Sequence, residues 1–331
     1  MADVQLVDPF GRRIDYLRLS VTDRCDFRCI YCMPENMRFS ARDELLSIEE
    51  LHEVASTFIA LGVRKIRITG GEPLVRKDLN RLLSKLAGHT ELTDLAITTN
   101  GTQLVEQAIE LHHLGVQRLN ISLDSLSRER FALLTRRDKL EKVLEGIESA
   151  IGAGFKRLKI NSVIQRGVNF DEVYDLAIFA LSRGLDISFI EEMPLGVVNS
   201  HDRNKTLVTS DEVLERLSDN LDLAPIVERT GGPSKYYSVR GYDGRIGFIS
   251  PYSHNFCGAC NRVRVTADGK LILCLGEDNA IDLKRILRDS SYSRDAMKSK
   301  IIDAMKLKPA AHGFDRADEV QVIRFMSATG G

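Results

Sequence analysis

Val63-Arg64-Lys65-Ile66-Arg67-Ile68-Thr69-Gly70-Gly71-Glu72-Pro73 sets an alternating run directly against a glycine pair. Ile66 and Ile68 alternate with Lys65, Arg67 and Thr69, and a period of two sends each set to one side of a strand. The pattern returns along the chain. Leu158 and Ile160 alternate with Lys159 and Asn161, and Ile121 and Leu123 with Asn120, Ser122 and Asp124. Thr98 and Asn100 share a face, as do Arg18 and Ser20. Strands are expected near 16–21, 63–69, 94–99, 116–123, 155–163 and 186–193. Helical spacing covers 48–61, 79–86, 105–114, 128–134, 140–150 and 170–182. Strands alternating with helices through short glycine-bearing loops imply parallel pairing and right-handed crossovers. Six strands are too few for a complete eight-stranded barrel. The expected fold is therefore α/β, a partial TIM-like (β/α)6 barrel over residues 1–195 with a smaller C-terminal region over 196–331. A flat doubly wound sheet is the alternative.

The aliphatic faces belong against helices, which leaves the polar faces to line the interior. A filled barrel is packed with branched apolar residues. This one reads as a wet, charged lumen shaped for a polar ligand, unless some strands are merely half exposed. Composition agrees with a globular chain: 331 residues at 43% hydrophobic bury a substantial core. A net charge of −1 provides no basic field for nucleic acid. No apolar run reaches the length of a membrane span. Met1-Ala2-Asp3-Val4 opens no signal-peptide core, so a cytoplasmic location is expected. Cysteines there stay reduced, and clustered ones read as metal sites.

All six cysteines fall in two trios, Cys25-x3-Cys29-x2-Cys32 and Cys257-x2-Cys260-x13-Cys274. A trio is one thiolate short of the usual four around an iron–sulfur cluster or a zinc. If each holds a [4Fe–4S] cluster, each leaves an iron open to something other than protein. The first trio follows the first strand, with Pro34 just behind it, so it belongs on a loop at the strand's carboxyl end, where such folds gather catalytic groups. That spacing, with Tyr31 before the last cysteine and Gly70-Gly71-Glu72-Pro73 at the end of the second strand, resembles the radical S-adenosylmethionine (SAM) enzymes. The resemblance implies a [4Fe–4S] cluster whose free iron takes the amino and carboxylate groups of SAM. It also implies a 5′-deoxyadenosyl radical formed by one-electron reduction, and SAM contacts at Tyr31, Gly71, Ser122 and Met193. Gly70 and Gly71 would let the backbone approach the ligand without a Cβ in the way.

The second trio spans a hairpin. Residues 262–266 and 271–274 flank Ala267-Asp268-Gly269-Lys270, and Asp-Gly signals a tight turn. Folding there sets Cys274 opposite roughly Val263 and brings it near Cys260. Arg262 and Arg264 leave one face together. His254, three residues before Cys257, leaves a Cys3His zinc site open as an alternative.

Taken together, the motifs resemble the GTP 3′,8-cyclases, MoaA-type radical SAM enzymes that open molybdenum cofactor biosynthesis. They run from Thr22-Asp23-Arg24-Cys25 through Ile97-Thr98-Thr99-Asn100-Gly101, Glu191-Glu192-Met193-Pro194 and Cys260-Asn261-Arg262-Val263-Arg264 to the terminal Gly330-Gly331. The resemblance implies a lyase that binds GTP through Arg18, Arg67, Thr98, Lys159, Arg262, Val263 and Arg264. The six cysteines, Cys25, Cys29, Cys32, Cys257, Cys260 and Cys274, would hold two [4Fe–4S] clusters, the open iron of the second meeting the guanine edge. No Gly-x4-Gly-Lys-[Ser/Thr] motif is present, so the nucleotide site would lack a P-loop. The Gly-Gly tail is either a flexible end or a slim segment entering the active site. A flavodoxin-type reductant is implied by the family. The helix expected at 294–307 packs within the chain or against a second copy. Two other readings stay open: a radical SAM enzyme that modifies a peptide and uses an auxiliary electron-transfer cluster, and a non-enzymatic zinc-binding module.

Overall fold

Strand β1 (Tyr16–Ser20) is buried along its whole length and has a parallel neighbour on each side. The computed structural model describes residues 5–155, 157–196, 200–227, 232–314 and 324–330. From β1 the sheet runs in chain order through β2 (Lys65–Thr69), β3 (Asp94–Thr99), β4 (Arg118–Ser122), β5 (Arg157–Ile164) and β6 (Asp186–Glu191), every pair parallel. The crossovers carry α1 (Ile48–Ala60), α2 (Leu79–Ala87), α3 (Leu104–His113), α4 (Arg128–Thr135), α5 (Leu140–Gly152) and α6 (Val173–Leu181). The expected (β/α)6 order holds; the helix expected at 170–182 begins as a 3-10 turn over Phe170–Glu172.

Local sequence explains the starts and packing. Ser47 and Glu50 form a reciprocal capping box at α1, satisfying N–H groups that a helix start leaves unpaired. The aliphatic strand face (Leu17, Leu19, Ile66, Ile68, Ile97, Ile121, Ile160) forms one core with Leu51, Val54, Phe58, Leu82 and Leu86 from the helices. The opposite face carries the polar set, in register: Arg264 beside Arg18 beside Arg67, and Thr98 beside Asn120 beside Lys159.

The residues after 195 extend the same sheet at both sides. β9 (Arg245–Ile249) adds parallel to β6 and continues antiparallel into β8 (Lys235–Val239) and β7 (Leu223–Pro225). β10 (Arg262–Val265) adds parallel to β1 and continues into β11 (Lys270–Ile272) and β12 (Ala280–Asp282). Among the described residues the sheet has twelve strands in the order β12-β11-β10-β1-β2-β3-β4-β5-β6-β9-β8-β7. Laid flat, β11 and β8 would stand roughly 40 Å apart at strand spacing. Yet Ile272 of β11 and Tyr236 of β8 line one cavity, so the sheet curls into an open barrel.

The β10–β11 hairpin corrects the expected register. Arg264 pairs with Ile272 and Val265 with Leu271, so the ladder projects Cys274 opposite Arg262 instead of Val263. The loop has three residues, with the Thr266 N–H donating to Lys270 O at 2.9 Å and Gly269 at φ +85°. A left-handed glycine closing a three-residue loop shifts the register by one against a two-residue Asp-Gly turn. That shift puts Cys274 on the face of Arg262 and Arg264.

Candidate active site

One cavity of about 260 Å³ runs through the barrel from the starts of β1, β2 and β4 (Tyr16, Lys65, Arg118) to the loops past the strands' carboxyl ends, and it is lined by all six cysteines. The same cavity is lined by Tyr31, Gly71, Ser122 and Met193, and by Arg18, Arg67, Thr98, Lys159, Arg262, Val263 and Arg264. The six cysteines and the residues expected to meet SAM and GTP therefore share one chamber.

The first trio sits on a loop between β1 and α1 that is held from two sides. Arg28 and Ile30 donate their N–H groups to Thr135 O and Leu134 O at the end of α4, at 3.0 and 2.9 Å, and Phe27 meets Phe131 edge to face. On the other side, Gly71 N–H donates to Thr22 O and Glu72 N–H to Arg24 O, both at 2.8 Å. A Cβ on Gly71 would lie 2.7 Å from Asp23 O and from Arg24 C. The side of this glycine that must stay bare faces the cysteine loop, not the ligand space as the sequence suggested. The Glu72 carboxylate accepts from Leu74 N–H, Asn100 N–H and the Thr99 hydroxyl, tying the ends of β2 and β3. Tyr31 donates its hydroxyl to Asp124 at 2.6 Å, and Asp124 also accepts from Val163 N–H. Burial pushes the Asp124 carboxyl up to about 6 against those two hydrogen bonds.

The second trio is tied from behind by residues 308–312. The Lys308 ammonium donates to Arg262 O and Leu273 O, and His312 N–H reaches Cys257 Sγ at 3.4 Å. Burial drives the Cys257 and Cys274 thiols up. Burial also raises Cys260, but Arg262 and Lys308 outweigh it and bring that thiol down to about 7. The zinc alternative loses its fourth ligand. His254 is exposed, points its Nε2 at Asp211 at 2.8 Å and does not line the cavity. Among the described residues no three Cys, His, Asp or Glu side chains close on a single-ion site. Three thiols spread around an open chamber suit a larger group than one ion.

Charge gives the chamber its second property. Arg18, Arg67, Arg262 and Arg264 are only 7–9% exposed, and among the described residues none has a carboxylate within ion-pair reach. Uncompensated buried cations are costly unless an anion arrives. Desolvation lowers Arg18 to about 10, and it also lowers Arg264 and Lys159, with cationic neighbours adding to each shift. Among the described residues, buried polar atoms on the lining without a hydrogen-bond partner include Arg67 Nε, Thr98 Oγ1 and Asn161 Oδ1. Native structures rarely leave such atoms unsatisfied, so a dense polar ligand is expected to supply their partners.

The tail enters the same chamber. Met326 lines it, the Ser327 N–H faces Cys32, and Arg264 donates to Thr329 O at 3.4 Å and to Gly330 O. Gly330 has φ +75°, and a Cβ there would lie 2.6 Å from Thr69 Oγ1. Gly331 lies outside the described residues.

The sequence reading missed Tyr16, Arg118 and Tyr236 as lining residues, while Asp124 lies on the polar face expected to line the interior. Tyr16 and Arg118 were within reach of it, because each continues the period-two face of Arg18 or of Asn120. Tyr236, which accepts from Lys159 Nζ at 3.4 Å, carries no local signal.

Comparison with known proteins gives a consistent picture. Residues 19–180 match the Radical SAM superfamily model and residues 185–314 the Molybdenum Cofactor Synthesis C model. The chain is 62% identical over 327 residues to "GTP 3′,8-cyclase" of Ectopseudomonas mendocina, covering 99% of both chains. It is 60% identical over 331 residues to "GTP 3′,8-cyclase 2" of Pseudomonas aeruginosa, covering 100% of both. Among solved structures, Streptococcus suis SuiB bound to S-adenosylmethionine matches with a TM-score of 0.62 at 14% identity, over 96% of this chain and 78% of that one. SuiB bound to its precursor peptide SuiA gives 0.63 at 15%, over 95% and 76%. At that identity the likeness concerns fold alone.

Proposed function

The chain belongs to the GTP 3′,8-cyclases of the radical SAM superfamily, and from that premise we propose how its own residues carry the reaction. The activity is conversion of GTP to (8S)-3′,8-cyclo-7,8-dihydroguanosine 5′-triphosphate, the first step of molybdenum cofactor biosynthesis, with SAM and two [4Fe–4S] clusters as cofactors. When bound, the first cluster and SAM supply a 5′-deoxyadenosyl radical that takes the ribose C3′ hydrogen.

Cys25, Cys29 and Cys32 would hold the first cluster, and Cys257, Cys260 and Cys274 the second. Three thiols per trio are one short of the usual four around such a cluster, so SAM at one end and guanine at the other would have room to meet it. Tyr31, Gly71, Ser122 and Met193 flank SAM. Arg18, Arg67, Arg262 and Arg264 grip the triphosphate, with Lys159 as a point charge; guanidinium offers paired hydrogen bonds to phosphate that ammonium cannot. Thr98 and Val263 complete the nucleotide wall. With both ends fixed, the ribose has little freedom, and orientation of this kind can remove several kcal/mol from a barrier. The Met326–Gly330 tail closes over the nucleotide and keeps water from the radical.

One observation carries the reading: both trios and four guanidiniums that have no carboxylate partner among the described residues open on one chamber. A peptide substrate would have no use for so many buried cations. The proposed surroundings are a cytoplasmic setting with a flavodoxin-type reductant, and a homodimer. Among the described residues no helix is long and apolar enough to cross a membrane.

Anaerobic incubation of the reconstituted chain with SAM, dithionite and GTP should consume GTP and yield one 5′-deoxyadenosine per cyclised nucleotide. Replacing either trio by alanine should remove about half of the iron and abolish that product. Turnover surviving the loss of Cys257, Cys260 and Cys274 would overturn the second assignment.

A further inference from the structure

Lys308 follows the helix Arg294–Met305 and is 3% exposed, among the most buried charges in the chain. Its Nζ donates to Arg262 O at 3.1 Å and to Leu273 O at 2.5 Å. Arg262 lies two residues past Cys260, and Leu273 directly precedes Cys274. One ammonium thus joins the two arms that carry those thiols. The next residues reach the third arm: Arg12 donates to Pro309 O at 2.5 Å and to Ala310 O and Cys257 O at 2.8 Å. Residues 308–312 are therefore a hub behind all three thiols.

The two cations of this hub differ in one respect. Arg12 is paired with Asp8 at 2.5 Å. Lys308 has no carboxylate within ion-pair reach among the described residues, and its two acceptors are neutral carbonyls. A buried ammonium without a counter-ion is disfavoured by desolvation unless something negative faces it. A cluster held by three thiolates carries net negative charge and gains more when reduced. Net charge and local hydrogen bonding are levers that set the potential of such clusters.

We propose that Lys308 is the resident counter-charge of the second cluster, a positioning residue that joins the Cys260 and Cys274 arms and raises that cluster's reduction potential through its ammonium. The proposal rests on the assignment of Cys257, Cys260 and Cys274 as the cluster's ligands. Its sign is fixed: removing a positive charge makes addition of an electron harder. Charge and shape separate through two variants. Lys308→Gln keeps an N–H donor for the carbonyls and drops the charge; Lys308→Arg keeps the charge.

The test uses the full-length chain with Cys25, Cys29 and Cys32 replaced by alanine, reconstituted anaerobically so that only the second cluster remains. Iron per chain and an EPR-monitored redox titration are then read for Lys308, Lys308→Gln and Lys308→Arg. Expected is unchanged iron in all three, with Lys308→Gln shifted negative by about tenfold in the reduction equilibrium, about 59 mV for one electron. Lys308→Arg should stay near the parent. A Lys308→Gln midpoint equal to the parent's, with iron retained, overturns the proposal. Iron lost equally from both variants also overturns it, since the role would then be one of shape. Failure of the ligand assignment itself looks different: the otherwise native chain lacking Cys257, Cys260 and Cys274 would retain its full iron.

Discussion

Glu72 is fully buried, yet its carboxylate serves three donors from two strand ends. Burial wins over those donors and pushes its carboxyl from an ordinary value near 4.5 up to about 7. A carboxyl that keeps its proton longer folded than unfolded withdraws stability as pH climbs from about 4.5 to about 7. Nothing is lost below that window, and the whole effect, a few kcal/mol at about 1.4 kcal/mol per unit, applies above it. In urea titrations of the metal-free protein, Glu72→Gln should therefore gain on the wild type between pH 5 and 7. Parallel curves would show an ordinary carboxyl. Arg67 makes a second residue-scale prediction. Its Nε has no partner among the described residues, so a phosphate contact there is worth about 1.5–3 kcal/mol. Arg67→Ala should weaken GTP binding by about tenfold or more in equilibrium dialysis, at unchanged iron content. Arg67→Lys should recover only part of it, because ammonium cannot make the paired contact.

At the scale of elements, the turn after β2 works as a cradle for the cysteine loop. The atoms a Gly71 Cβ would strike, Asp23 O and Arg24 C, are backbone and cannot rotate away. Gly71→Ala should displace the loop and lower iron bound per chain toward half, with the signal of the second cluster retained. Full iron occupancy would show that the loop has slack. The β2 strand and its glycine turn were plain in the sequence because alternation and glycine act locally. So were the six parallel strands and the polar face that lines the chamber. The β10–β11 hairpin was legible as a hairpin but not in its register, since Asp268-Gly269 fits both a two- and a three-residue loop. Tyr236 and Lys308 were illegible for another reason. Each reaches the chamber through packing between segments distant in sequence, and nothing beside either residue records that.

Seen whole, the chamber explains why two trios more than two hundred residues apart belong to one reaction. β10 brings the second trio to the amino end of β1, whose carboxyl end leads into the first, and the cations on the inner face of the curled sheet lie along the chamber between them. The same construction ties the segment 196–331 to the barrel. β9 and β10 cover strands that would otherwise be the open borders of a parallel sheet. A chain ending at residue 195 should therefore associate instead of remaining a monomeric half-barrel, as size-exclusion chromatography with light scattering would show. A soluble monomeric fragment would mean the six strands suffice alone.

Translation meets the same problem in time. A ribosome adding ~5–20 residues per second needs several seconds to go from the last barrel strand to β10. Until β9 is made the nascent half-barrel has unpaired backbone on two sides, and until β10 is made on one. Chaperone contact during this stretch, and completion of the second cysteine trio only once β11 has been made, follow from the order in which the strands are made.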